Sequence, residues 1–357
     1  MATTGGRNIT NPSGRSNQTG KDVSNREDLA NFIGMITRDE TPFLASIGKT
    51  KSTNIYHEWQ TDELQAPGNS RVAEGTDFLT AGTSPASGDG AASTIVGPFR
   101  TRLGNYTQIN SKVISVSGSR RAIDQAGVAD EYAYQLKKRG TEMRRDMEMD
   151  LVNTYNVQTT SGARKTGGYQ SFINSSDTCV FKGSFTQPAT PNTGVTSVTV
   201  ASAGTKAALA LTDIDSVMQK IYEAGGKASR VMVSPKLRRD FSDLLIGATG
   251  VQRNIDESGK LRQSVDIYMS DFGDLMVVPN YIMGLAFTTT DATTTQFAAK
   301  DSCALIYDPQ WFAMATFRPM QEVEVGQKGD STVGMFVEEW SLEVKNPKGC
   351  GAIYGLQ

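Results

Sequence analysis

A single histidine, His57, supplies all the imidazole in a chain of 357 residues. Chemistry that needs two imidazoles, such as a histidine-rich metal site, is therefore excluded, and any Ser/His or Cys/His device would have to use that one ring. Cysteine is nearly as scarce. Cys179, Cys303 and Cys350 stand too far apart for a CxxC pair, which removes the common zinc and redox motifs and reads as buried structural thiols in a reducing compartment. Long apolar runs are missing too: Leu275 to Val278 and Tyr281 to Phe287 fall far short of the ~20 residues of a membrane span. The opening Met1-Ala-Thr-Thr-Gly-Gly-Arg-Asn lacks the apolar stretch of a signal peptide, so a soluble cytoplasmic product is expected. Neither charge sign is in excess. With 36 Lys+Arg against 38 Asp+Glu the net charge is −2, which argues against both a solvated disordered chain and a strongly basic nucleic-acid binder.

What is present is enough apolar side chain for a core, 38% of residues, together with 35 glycines that point to many loops. At this length one large domain or two to three lobes are expected. Residues 1–26 hold Arg7, Arg15, Lys21 and Arg26 against Asp22 and almost no apolar side chain. Such a segment cannot offset its own ordering entropy, and reads either as a solvated tail or as an arm that orders on a neighbouring subunit. From Asn25 a short helix is predicted on Leu29, Phe32, Ile33 and Ile36, ended by Thr41-Pro42. Alternation from Ser52 to Gln60 predicts a strand with His57 between Ile55 and Trp59, a packed or surface imidazole.

Residues 66–98 are a long polar loop, and Arg100 to Ser117 returns as extended chain, so the pair reads as a projecting hairpin arm. The clearest element is a helix over 130–155. Tyr132, Leu136, Met143, Met147 and Leu151 draw one apolar stripe on it, and its other faces carry mixed charge. A strand at Val195 to Val200 interrupts a Ser/Thr/Gly/Pro-rich stretch. Helices from Thr212 or Asp213 to Gly225-Gly226 and from Pro235 then flank a strand at Arg230 to Ser234. Extended segments at Ile267–Met269, Leu275–Val278, Ala286–Thr289 and Ala304–Tyr307 complete a mixed lobe, and Trp311 to Leu356 reads as all extended, with a turn over Gly326 to Gly334.

No motif supports an enzyme or a cofactor site. Gly225-Gly226-Lys227 lacks the first glycine and the Ser/Thr of a phosphate loop and fits a helix C-cap. Glu338-Glu339 and Asp62-Glu63 are neighbours in extended chain, so their carboxylates point to opposite faces and cannot share a substrate.

The order of elements resembles the major capsid proteins of tailed bacteriophages with the Hong Kong 97-like fold. The similar stretches are Thr41-Pro42-Phe43-Leu44, Glu58-Trp59-Gln60-Thr61-Asp62-Glu63-Leu64, Thr212 to Gly226, Ser234-Pro235, Asp308-Pro309 with Trp311, Arg318-Pro319, Gly329-Asp330-Ser331, Glu339-Trp340-Ser341-Leu342 and Asn346. The resemblance implies an α+β fold with an N-terminal arm at 1–26, a short helix and connection at 27–51, and an extended β-hairpin loop at 52–117. It further implies a peripheral domain at 118–164 and 313–357 built on the 130–155 helix, and an axial domain at 165–312. The implied function is self-assembly of pentamers and hexamers into an icosahedral shell around double-stranded DNA, with portal and scaffold or decoration proteins as partners and no membrane. Subunit contacts would fall on Trp59, Asp62, Glu63, Arg71, Glu74, Phe78, Arg100 and Arg102, and DNA or scaffold contacts on Arg7, Arg15, Lys21 and Arg26. An encapsulin-like shell and an adhesin-type binding protein are the alternatives. One physical point fits a shell: a near-neutral subunit limits repulsion between identical neighbours.

Overall fold

A computed structural model describes residues 35–64, 74, 100–123, 127–153, 163–173, 178–183, 205–248, 266–285, 303–327 and 329–357. The basic residues of 1–26, the apolar positions Leu29, Phe32 and Ile33, the strand expected at 195–200 and the segment expected at 286–289 lie outside these. So does the loop 66–98, apart from an exposed turn residue, Glu74.

The first helix differs from the sequence expectation. Residues 35–41 are not helical, Ile36 is almost fully exposed, and Pro42 begins a helix, α1 (Pro42–Ser46), where a stop was expected. Proline suits the first helical position because its missing N–H would be unpaired there anyway. The turn drives Phe43 into the core, edge-on to Tyr169, Tyr307 and Phe312 at centroid distances of 6.0, 5.2 and 5.4 Å. A strand that the polar sequence concealed follows, β1 (Gly48–Lys51).

Next come β2 (Tyr56–Thr61), β3 (Thr101–Tyr106), β4 (Gln108–Ser117) and the short helix α2 (Gly118–Ala122). Ser52 to Ile55 is a turn rather than strand: the Ser52 hydroxyl donates to the Asn54 carbonyl at 2.8 Å, and Ile55 is exposed. β2 and β3 pair antiparallel, residue for residue from Tyr56↔Tyr106 to Thr61↔Thr101, as a ribbon belonging to neither large sheet. The returning leg then changes partner. β4 pairs along its whole length with β11 (Ser331–Val344), which pairs with β10 (Phe312–Gln327), which pairs in parallel with β1. The long helix α3 (Glu131–Asn153) covers one face of this four-stranded sheet. Its stripe is buried in the second half only, at Met143, Met147 and Leu151, whereas Tyr132 and Leu136 are half-buried.

The second sheet has six strands. In spatial order they are β5 (Cys179–Phe181), β12 (Gly351–Tyr354), β9 (Cys303–Tyr307), β6 (Arg230–Val233), β8 (Gly273–Pro279) and β7 (Ile267–Ser270). The end of the chain thus leaves the first sheet for the second. Gly-Ala-Ile-Tyr is buried at every position and suits a strand covered on both faces. Period-two alternation sends its side chains into two cores. Met232, Leu305, Tyr307, Ala352 and Tyr354 join α3, Phe43 and the short helix α4 (Tyr169–Phe172) in one. Val231, Val233, Ala304, Ile306 and Ile353 join helices α5 (Leu211–Glu223) and α6 (Pro235–Ala248) in the other. Helix α5 closes on a Schellman motif: Gly226 N–H donates to Ile221 C=O at 2.9 Å and Gly225 N–H to Tyr222 C=O at 3.0 Å, with Gly225 at φ +80°. The Gly-Gly-Lys stretch is therefore a helix end. All three cysteines are buried thiols, and burial pushes the Cys350 thiol up.

Candidate subunit-contact surface

The β2–β3 ribbon is the feature that could reach a neighbour, and its two ends are built differently. At the root, polar side chains lock it to the body. Asn105, fully buried, donates through Nδ2 to Leu342 O at 2.8 Å, Thr166 Oγ1 at 3.0 Å and Gly167 O at 3.1 Å, and its Oδ1 accepts from Gly167 N at 2.8 Å. Trp59 Nε1 donates to Val344 O at 2.8 Å while its ring lies 5.7 Å from that of Phe172, so Trp59 is engaged within its own subunit. His57 Nε2 meets Glu343 Oε2 at 3.2 Å; the lone imidazole is packed.

Just beyond the ribbon, Thr107 donates to the buried carboxylate of Glu339 at 2.7 Å, which also takes Arg164 at 2.8 Å and Arg318 at 2.9 Å. Three donors on one carboxylate make its burial affordable. Within the ribbon, Gly104 lies under the Tyr56 ring, where an added Cβ would clash with the ring and its hydroxyl.

The far end is exposed and charged, and one ion pair ties it back to the body. Arg100 pairs with Asp62 at 3.4 Å and Arg102 with Glu58 at 3.8 Å, all largely exposed, and Glu63 reaches Lys348 at 2.6 Å. Of the expected contact residues, the structure therefore gathers Asp62, Glu63 and Arg100 at the far end of the ribbon with Arg102 one step inside it, and places Trp59 in mid-ribbon, paired with Leu103 and hydrogen-bonded to the body. Arg71 and Phe78 lie outside the described residues, and Glu74 is exposed. Exposed ion pairs of this kind contribute little to folding, and their charges remain available to a partner. Asn105, Thr107 and Glu339 were not singled out by the sequence as anchors. Apart from Arg318, 21 residues from Glu339, their partners are 61 to 237 residues away in the chain, and no local pattern marks them.

The adjacent carboxylates Glu338 and Glu339 do point to opposite faces. Glu338 is buried on the α3 side of β11, its Oε2 without a hydrogen-bond partner among the described residues. Desolvation raises its pKa, against the attraction of Arg144 and Lys49. The folded state therefore takes up this proton at higher pH than the unfolded state, and ionisation above that point costs stability. Glu338→Gln is expected to be more stable than the parent in urea at pH 7. That advantage should shrink as pH falls through the ordinary carboxylate range, and a constant difference from pH 3 to 7 would contradict the assignment.

Among the described residues no group of three or more His, Cys, Asp or Glu could hold a metal ion, and no helix is long and apolar enough to cross a membrane.

A sequence profile described as SU10 major capsid protein matches residues 11–357. The chain belongs to this family of major capsid proteins. The major capsid protein of Escherichia phage Phieco32 is 24% identical over 365 residues, covering 94% of this chain and 95% of that one. Solved structures similar to the capsid protein include one from Mycobacterium phage Bobi, with TM-score 0.57 and 12% identity over 92% of this chain and 95% of that one. The capsid of Myoviridae phage XM1 gives 0.55 and 13% over 92% and 97%, and that of cyanophage P-SCSP1u 0.53 and 11% over 97% and 98%. The capsid protein thus has the Hong Kong 97-like fold of tailed-phage heads. It is a structural protein of the virion that assembles with copies of itself into a shell.

Proposed function

We propose that this capsid protein forms pentamers and hexamers that close into an icosahedral head around double-stranded DNA, with a portal at one vertex and scaffold or decoration proteins as further partners. The family match across residues 11–357 carries this reading. In it, the extended loop that lies over an adjacent subunit is the part of 52–117 before β4, since β4 pairs along its length with β11; 118–164 with 313–350 make up the rest of the peripheral domain, and 165–312 with β12, which pairs with β5 and β9, the axial domain. A ribbon locked at its root by Asn105 and carrying Asp62, Glu63, Arg100 and Arg102 toward its far end suits that division of labour. A rigid base fixes the direction of the arm, and exposed charges of both signs select its contact.

Electron microscopy of the purified protein tests the reading. Closed icosahedral particles holding nuclease-protected DNA are expected; monodisperse monomers would overturn it, and particles filled with protein cargo would favour an encapsulin-like shell. The basic arm carries a separate prediction. Deleting residues 1–26 removes Arg7, Arg15, Lys21 and Arg26, and about tenfold less DNA should survive nuclease per particle at physiological salt. Unchanged DNA content would remove these residues from any contact with the genome.

A further inference from the structure

The balanced charge of α3 sorts by face. Glu142, Asp146 and Asp150 recur every four residues and turn toward β4, where Lys112 Nζ meets Asp146 at 2.5 Å and Gln108 Nε2 donates to Asp150 at 2.6 Å. Glu142 also holds Arg139 at 2.6 Å, Glu131 accepts from Gln135 at 2.8 Å, and Glu148 is buried. The five carboxylates of the helix are thus all engaged away from its outward side. Four of its five cations are not. Lys137, Lys138, Arg144 and Arg145 stand at i, i+1, i+7 and i+8 with Thr141 between them, which places them on one side of the helix, almost opposite the stripe of Met143 and Met147. Among the described residues none of the four is in ion-pair contact with a carboxylate. Lys137 and Arg144 are exposed, and Arg145, its Nε unpartnered among the described residues, lines a hollow of about 280 Å³ whose acids, Glu142 and Asp146, are the ones already paired. Strand β1 extends the patch. Lys49 and Lys51 pair with Met314 and Thr316 of β10, which in turn pair with Leu342 and Trp340 of the core under α3, so both exposed lysines lie on the helix side of the sheet. Lys49 and Arg144 flank Glu338, whose burial favours its neutral form. On the opposite face of the sheet β4 presents Ile109, Ser111, Val113 and Ser115, without a charge.

We propose that the outward face of α3, extended by Lys49 and Lys51, binds the phosphate backbone of the enclosed DNA, so that the helix side of the sheet lines the lumen. This rests on the shell reading above. Charge complementarity names the occupant. At physiological ionic strength charges act over about 8 Å, so this local group of unpaired Lys and Arg matters more to a phosphate than the net charge of −2 on the whole chain. Contact with a phosphate backbone needs such side chains within reach and no groove that reads bases. The outward positions from 137 to 145 are cations and one threonine, a surface without the apolar anchor that dominates peptide docking.

Salt dependence separates this role from folding. A variant combining Lys137→Gln, Lys138→Gln, Arg144→Gln and Arg145→Gln should keep an unfolding midpoint near that of the parent. The affinity of its free subunit for a duplex of about 30 base pairs should fall at least about tenfold at low salt, and the slope of log K against log salt should flatten by about 3. Combining Lys227→Gln, Lys236→Gln and Arg239→Gln removes exposed cations elsewhere and should leave binding near that of the parent. A second reading keeps all four cations in place and does not depend on that variant folding. In DNA-filled particles a photo-crosslinker at Thr141 should join DNA, and one at Ser111 on the opposite face should not. An unchanged slope in the four-site variant, an equal loss in the control, or filled particles in which Thr141 joins protein or nothing would overturn the surface and leave the shell reading standing. A crosslink to DNA from Ser111 instead would overturn the orientation. If the parent forms no filled particles, the shell reading falls, and the salt slope alone then decides whether this face binds phosphate.

Discussion

Glu148→Leu is expected to cost about 4 kcal/mol of folding stability, measured by urea unfolding of the free subunit. Glu148 lies on α3 with no exposed surface and accepts from Phe43 N at 2.9 Å, Leu44 N at 2.7 Å and Asn280 Nδ2 at 2.7 Å. It therefore ties the long helix to α1 on one side and to the end of β8 on the other. Leucine fills the space but strands two backbone donors and an amide in a dry site. Desolvation nevertheless raises the Glu148 pKa despite these three bonds, so the negative charge itself is not what the fold gains. The gain is acceptor geometry. Glu148→Gln keeps one acceptor oxygen but turns an NH2 toward donors, and about half the loss should remain. A leucine variant within 1 kcal/mol of the parent would show that α1 can dock without the carboxylate.

Asn105→Ala should have the second-largest effect, about 3 kcal/mol, and it should be visible in assembly as well as stability. Alanine leaves Gly167 N and Leu342 O unpaired beneath the ribbon and opens a small void. The β2–β3 ribbon should then be cut by protease faster than in the parent, and closed particles should form in lower yield. If stability falls while proteolysis of the ribbon and particle yield are unchanged, Asn105 is a core residue and not the anchor of the arm.

Local pattern carried a large share of the fold. The stripe at Met143, Met147 and Leu151 marked α3, Pro235 marked the start of α6, and Gly225-Gly226 marked the end of α5. Each is a contest decided within a few residues of chain, where apolar spacing, a missing N–H or a permitted positive φ settles the outcome. The exposure of Asp62, Glu63, Arg100 and Arg102 was legible for a similar reason, since charged side chains flanking a long polar loop are exposed almost wherever that loop goes. Pro42 was misleading because proline ends one helix and begins another with equal ease, and the second choice is favoured here by partners distant in the chain, Glu148, 105 residues from Phe43, and the rings around Phe43.

The sequence by itself determined that this chain has one imidazole and no paired nucleophile or metal motif, that it carries a long amphipathic helix, and that extended chain surrounds a polar loop. Which strand joins which sheet was decided only in three dimensions. β1 is polar and short, yet it completes a sheet because the β10 edge and the docked Phe43 hold it in parallel register; β12 crosses to the other sheet because it can be covered there on both faces. Buried anchors such as Asn105, Glu148 and Glu339 belong to the same class. Ordinary polar residues in the chain, they acquire their roles when distant backbone donors and acceptors arrive with nothing else to pair them.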